Sequence, residues 1–254
     1  MTVAKTLFLD IESAPALAYV YGLWKQNIPL KQLIERPYLL SFAAIWNDDP
    51  EKEMIYEENR HNNDYALVSK LFALLDEAEV VVAHFGDRFD LPMILGRGIV
   101  HKLLPPSPYK TVDTCLVARK KFKFMSNSLS ALCDELGVTP KDSHSEFEGF
   151  DLWKGCLDQD DKAWAVNKRY NIGDVISLRD LYYRLRPYIE YHPSVAGEGG
   201  YVCHSCGSDD IQRRGYHKMK SGLTYQRYQC NCCGSWSRSK TAVKSLNTNQ
   251  LRSM

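Results

Sequence analysis

No stretch of the 254-residue chain approaches the roughly 18 consecutive apolar residues of a membrane-crossing helix. The apolar run Leu7–Leu9 is short and meets Asp10 directly, which is not the pattern of a secretory leader. These absences predict a protein with no membrane partner. Cysteine is sparse in the body, where Cys115, Cys133 and Cys156 are scattered and read as ordinary buried thiols. That scatter is not a secreted disulfide framework, so a reducing, cytoplasmic setting is expected. No internal repeat is visible, and the closing stretch SRSKTAVKSLNTNQLRSM contains no acid.

What is present is unevenly distributed. The net charge is only +1, but after Ser194 nine Lys and Arg face three acids, leaving that end at +6. The first 194 residues hold 23 basic and 28 acidic side chains, a net of −5. A basic end on a mildly acidic body suggests a polyanion-binding appendage, although a solvated charged tail has the same composition.

Hydrophobic patterning predicts strands at KTLFLD, 38–46, 53–58 and 79–85, the last a β-branched run suited to burial on both faces. Helices are predicted at 64–77, 90–98, 128–136 and 161–186, the last with Val175, Leu178, Tyr182 and Leu185 at helical spacing. Strands followed by alternating strands and helices describe an α/β fold, a mixed sheet flanked by helices. The Gly-rich segment 194–200 reads as a linker between a body at 1–193 and a small unit at 201–237; a basic, flexible tail is expected at 238–254.

Three segments carry chemistry. In FLDIES, Asp10 and Glu12 stand two apart in a strand, so both carboxylates point to one side. Two like charges there repel unless a cation lies between them. D-x-E is cheap, since Asp49 and Glu51 repeat it in the polar stretch NDDPEKE, but only the first copy ends an apolar strand. In VVVAHFGDRFDLP a buried strand runs through a turn to Asp90 at a helix start, where Asp also serves as a common cap and Asp87 competes for that role. In YNIGDV, Tyr170 and Asp174 lie four apart on one helical face, although a core Tyr beside a hydrogen-bonded Asp has the same spacing. Tyr109 and Asp113 share that spacing, but in an extended stretch after PPSP.

In this order FLDIES, HFGDRFDLP and YNIGDV resemble the three motifs of the DEDDy 3′–5′ exonucleases of the ribonuclease H-like superfamily. The likeness is to the proofreading domains of B-family polymerases and to stand-alone bacterial and phage relatives. It implies a five-stranded ribonuclease H-like sheet over residues 1–193. It also implies that Asp10, Glu12, Asp90 and Asp174 ligate two Mg²⁺ or Mn²⁺ ions and that Tyr170 orients the attacking water. Phosphodiester hydrolysis by two hard cations about 3.5–4 Å apart requires such oxygen ligands. His84 is the rival general base and reads more simply as structural; Asp113 reads as supporting. Phe85 stands where many relatives carry Asn, which touches substrate contacts rather than the ligand set. The resemblance favours DNA as substrate, with RNA the alternative. A separate polymerase or a replication or repair protein would be the partner for proofreading. A non-catalytic nucleic-acid-binding or recruiting module is the reading from another class.

Cys203-x2-Cys206-Gly and Cys230-x2-Cys233-Gly form two C-x2-C pairs, which resemble a zinc ribbon with one structural Zn²⁺. Cys232 could exchange with a neighbour, and His204 is a weak fifth candidate. Between the pairs, IQRRGYHKM and LTYQRYQC alternate like paired strands. Arg213, Arg214, Lys218, Lys220 and Arg227, interleaved with Tyr216, Tyr225 and Tyr228, suggest a nucleic-acid surface, with protein docking the alternative. Residues 14–36, with Tyr19, Tyr21, Trp24, Lys25 and Lys31, suit either base stacking or an amphipathic helix laid on the sheet.

Overall fold

The computed structural model describes residues 4–47, 54–139, 146–147, 149–196 and 200–243. Asp49 and Glu51 lie outside the described residues. The chain divides into two compact units, residues 5–182 and residues 1–4 with 183–254.

The larger unit is built on a five-stranded mixed sheet with strand order β5-β4-β1-β6-β7. Its strands are β1 (Thr6–Ser13), β4 (Leu39–Trp46), β5 (Ile55–Glu58), β6 (Val80–Ala83) and β7 (Lys110–Asp113). β1 is central, antiparallel to β4 and parallel to β6. Its alternation sorts the side chains. Leu7, Leu9 and Ile11 enter one core with Leu67, Leu71, Leu75 and Ile94. Phe8, Asp10 and Glu12 take the other face, where Phe8 meets Tyr182 edge-on with centroids 5.3 Å apart. Among the described residues six helices flank this sheet: α1 (Tyr65–Glu77), α2 (Asp90–Val100), α3 (Thr114–Lys121), α4 (Leu129–Leu136), α5 (Asp151–Leu157) and α6 (Asp161–Leu185). None is long and apolar enough to cross a membrane.

Asp64 ties this framework together from a fully buried position. Its Oδ2 accepts from Leu39 N of β4 (2.9 Å) and Arg97 Nε of α2 (2.8 Å), and its Oδ1 accepts from Arg97 Nη2 (2.7 Å) and lies 2.6 Å from His101 Nε2. Burial alone would raise its pKa, but Arg97, the Leu39 N–H and His101 outweigh it and hold the carboxyl below its ordinary range. Asp64→Ala leaves the mostly buried Arg97 unpaired, so it is expected to cost about 3–5 kcal/mol in urea unfolding at neutral pH. The wild-type advantage is present above the ordinary carboxylate pKa and shrinks as pH falls through the lower folded value.

Residues 14–36 do not form the amphipathic helix weighed above. Two short strands, β2 (Leu17–Ala18) and β3 (Leu33–Glu35), pair across a loop whose one helical element is a 3-10 turn at Leu30–Gln32. Pro15, Gly22 and Pro29 interrupt any helical run. Tyr19 and Trp24 are 73% and 85% exposed, so these aromatics are not laid on the sheet.

The smaller unit carries a three-stranded antiparallel sheet, β8 (Ile211–Lys218), β9 (Thr224–Cys230) and β10 (Trp236–Arg238), in the order β10-β9-β8. Two expectations need correction here. Val195, inside the expected linker, is buried, donates its N–H to His204 O and accepts from Ala4 N. The expected flexible tail begins inside β10, and Ser239 N and Val243 N donate to Gln226 O and Thr224 O of β9. Residues 197–199 and 244–254 lie outside the described residues.

Candidate metal centres

Asp10 and Glu12 leave β1 on the same face, and α6 lies across that face through a polar stripe. Asn167, Asn171 and Asp174 are spaced four and three apart on α6 and are all buried. Ser41 Oγ of β4 donates to Asn167 Oδ1 (2.8 Å) and lies 3.2 Å from Asn171 Oδ1. Asn171 Nδ2 donates to Asp10 Oδ2 at 2.7 Å and reaches the Asp10 carbonyl at 3.3 Å. The Glu12 carboxylate is held from a third element, by Trp153 Nε1 of α5 at 2.8 Å. One carboxylate oxygen each from Asp10, Glu12 and Asp174 lies within 4.8 Å of the others.

Asp90 opens α2 and is 3% exposed. It lines the same cleft as Asp10, Glu12, Asp174 and Tyr170, a cavity of about 410 Å³, but is not one of the three mutually close carboxylates. Its Oδ1 accepts from Ile11 N at 3.2 Å, pinning the helix start to β1. The turn before it is fixed by Asp113, which accepts from Phe85 N (3.0 Å) and Asp87 N (3.3 Å) while also capping α3 through Leu116 N. Gly86 is required in this turn, because a Cβ would fall 2.3 Å from that of Ala83. Asp87 does not cap α2; Phe89 holds that position.

Phe85 has φ +64°, a left-handed conformation that Asn tolerates far better than a bulky residue. The Asn common in the resembling motif thus matches the backbone here, while Phe85 sits strained at the cleft with the Arg119 guanidinium 5.1 Å from its ring centroid. His84 has both ring nitrogens engaged, Nδ1 with Thr114 Oγ1 (2.8 Å) and Nε2 with Asn127 O (3.0 Å), which suits a structural role.

Burial pushes Asp90 up to about 7, with the charges of Asp113 and Asp174 adding to the effect. A carboxyl that ionises near 7 when folded but near 3.8 otherwise destabilises the metal-free chain as pH rises across that interval. The melting temperature of wild type relative to Asp90→Asn is therefore expected to fall between about pH 4 and pH 7, and Mn²⁺ is expected to restore it. A constant difference across that range would contradict this reading of Asp90. Hard carboxylate oxygens with no sulfur or imidazole among the three close ligands fit Mg²⁺ or Mn²⁺.

The second cluster is sulfur. Cys203 Sγ and Cys233 Sγ are 3.6 Å apart, as are Cys206 Sγ and Cys230 Sγ, and all four lie within 4.8 Å of one another. A tetrahedron with metal–sulfur bonds of about 2.3 Å has edges of about 3.8 Å, so the donors fit Zn²⁺. The two knuckles repeat one construction: Gly207 N and Gly234 N donate to Cys203 O and Cys230 O, and Cys203 N and Cys230 N donate to Ser208 O and Ser235 O. Gly207 and Gly234 both have φ +75°, which is why glycine follows each pair. Cys232 is exposed and outside the cluster; His204 is outside it too, with Nε2 3.1 Å from Ser205 Oγ.

Of the five basic candidates, the sheet register does not gather all on one face. Arg213 pairs with Tyr228 and Lys218 with Thr224, while Arg227, adjacent to Tyr228 along β9, points to the opposite face. Asn171 and Trp153 escaped the sequence reading. Asn171 had a signal in the polar stripe on α6; Trp153 had none, lying 141 residues from its partner.

A family model described as the RNase H superfamily matches residues 7–186. No curated protein matches the chain. Among solved structures, the chain is similar to the family B DNA polymerase from the hyperthermophilic archaeon Pyrobaculum calidifontis, with a TM-score of 0.51 and 17% identity over 73% of this chain. The match spans a quarter (25%) of that polymerase's length.

Proposed function

We propose that this chain, which belongs to the RNase H superfamily, is a metal-dependent 3′–5′ exonuclease of the DEDDy type, with its nuclease site in residues 5–182 and a zinc ribbon whose strands and bonded flank run over residues 201–243. The observation that carries the reading is the convergence of Asp10, Glu12 and Asp174 within 4.8 Å in a cleft that also holds Asp90 and Tyr170. DNA is favoured as substrate on the motif resemblance, with RNA the alternative.

Asp10, Glu12, Asp174 and Asp90 would hold two Mg²⁺ or Mn²⁺ ions, which when bound supply a nucleophilic water and stabilise the leaving oxyanion. The remaining work belongs to the chain. Asn171 fixes the Asp10 carboxylate by donating to Oδ2, and Trp153 fixes Glu12 by donating to Oε2. Tyr170 lies one helical turn before Asp174 and lines the cleft, where its hydroxyl orients the attacking water. Phe85, Phe89 and Phe150 give the same cleft apolar walls against which a terminal base can stack.

A 5′-labelled single strand incubated with Mg²⁺ or Mn²⁺ tests this reading. Products that shorten one nucleotide at a time from the 3′ end are expected, and a 3′-blocked or circular strand should survive. Cutting of circles would make the enzyme an endonuclease, and binding without cleavage would make the chain a recruiting module. Matched DNA and RNA strands decide the substrate.

A further inference from the structure

We propose that one face of the smaller sheet, built from Tyr225, Arg227, Trp236 and Arg238, is a binding site for an unpaired nucleic-acid strand. The inference rests on the nuclease reading for its ligand class, but it is carried by a different part of the molecule. In an antiparallel sheet, directly paired residues share a face, and so do residues two apart on one strand. Arg238 pairs with Arg227, Trp236 pairs with Gln229, and His217 pairs with Tyr225. Tyr225, Arg227 and Gln229 alternate along β9, so His217, Tyr225, Arg227, Trp236 and Arg238 all project from one side.

Their side chains are already arranged in pairs. The Arg227 guanidinium lies 4.8 Å from the Trp236 ring centroid, and that of Arg238 lies 4.0 Å from the Tyr225 ring. Arg227 is fixed further, its Nε donating to Arg214 O at 2.9 Å. That carbonyl is available because β8 bulges between Arg213 and Tyr216, with Gly215 at φ +72°. A guanidinium stacked on an aromatic ring keeps its other face for a base and its edge donors for phosphate. Trp236 remains 47% exposed. A cavity of about 680 Å³ runs beside β10, lined by Tyr201, His217, Arg227, Trp236, Arg238 and Lys240, and Glu190 is the single acid among its described lining residues. Charge selects a polyanion, and the ring–guanidinium pairs select unpaired bases over a duplex, whose base faces are already stacked.

The opposite face carries Arg213, Tyr216 and Lys218, so the register supplies its own comparison. The test is fluorescence anisotropy of a labelled oligothymidylate of about twelve nucleotides, with the full chain in an Asp10→Ala background so that binding is read without cleavage. Failure of the nuclease reading would leave wild-type chain unable to degrade the strand yet would not alter this result. Arg227→Ala with Arg238→Ala, and separately Trp236→Ala, are expected to weaken binding about tenfold. The arginine pair should also reduce the slope of log affinity against log salt by about 0.7 per residue. Arg213→Ala with Lys218→Ala should weaken binding less than either. If melting shows an alanine variant to be unfolded, Arg227→Lys with Arg238→Lys replaces it; keeping charge without planar stacking should lower affinity with little change in salt slope. Equal or greater loss from the Arg213 and Lys218 pair, no loss from any variant, or a duplex bound as tightly as the single strand would overturn the assignment.

Discussion

Asp174→Ala and, separately, Asp10→Ala are expected to give chains that melt no lower than wild type without divalent ions and that cleave a labelled strand about a thousandfold more slowly. The two halves of the result have one cause. Three carboxylates within 4.8 Å repel when no cation is bound, so removing one relieves the metal-free fold. The same removal takes a ligand from ions whose charge stabilisation is worth several kcal/mol in the transition state. A residue serving only as core support would lower the melting temperature and spare the rate of whatever remained folded. Stability and activity moving in opposite directions separate the two roles. Asn171→Ala should fall between, since it leaves the ligand in place but frees its orientation, and raised Mn²⁺ should recover part of its rate.

The second large effect concerns the sulfur cluster. Cys206→Ser, or prolonged chelation of wild type, is expected to release one zinc per chain and unfold the 201–243 region, while residues 5–182 keep their own transition. Among the described residues, the apolar cluster at the four thiols is small: Cys203, Cys230 and Cys233, with Ile211 and Cys206 packed against them. So small a core cannot hold three strands, and zinc binding would contribute about 10–16 kcal/mol of apparent folding free energy in its place. Cys232→Ser, an exposed position outside the cluster, should retain zinc and fold. Metal analysis and the emission of Trp236 on β10 read the outcome. If Cys206→Ser keeps its zinc and Cys232→Ser loses it, the assignment of ligands is wrong.

What could be read from the sequence follows the range of each interaction. Asp10 and Glu12 share a face because strand periodicity is local, and Tyr170 with Asp174 because helical periodicity is. The family model over residues 7–186 and the five-stranded mixed sheet agree with the α/β expectation. Interactions that depend on tertiary arrangement were not legible: Trp153 reaches Glu12 only because the fold brings residues 141 apart in the chain within hydrogen-bond distance. Of the two alternatives for 14–36, the amphipathic helix is not formed, because Pro15, Gly22 and Pro29 override the pattern. The basic residues after Ser194 looked like one cluster along the chain, but the register sends Arg213 and Arg227 to opposite faces. The expected flexible tail concealed Arg238 and Lys240, which join the sheet and its adjoining cavity.

Ions held at the end of β1 are the centre of the proposed chemistry, and anomalous diffraction from crystals of the wild-type chain grown with saturating Mn²⁺ tests for them directly. Peaks bounded by the carboxylates of Asp10, Glu12 and Asp174, lost in Asp10→Ala crystals, are the predicted result. A cleft without anomalous density in crystals whose solution counterpart binds Mn²⁺ would contradict it.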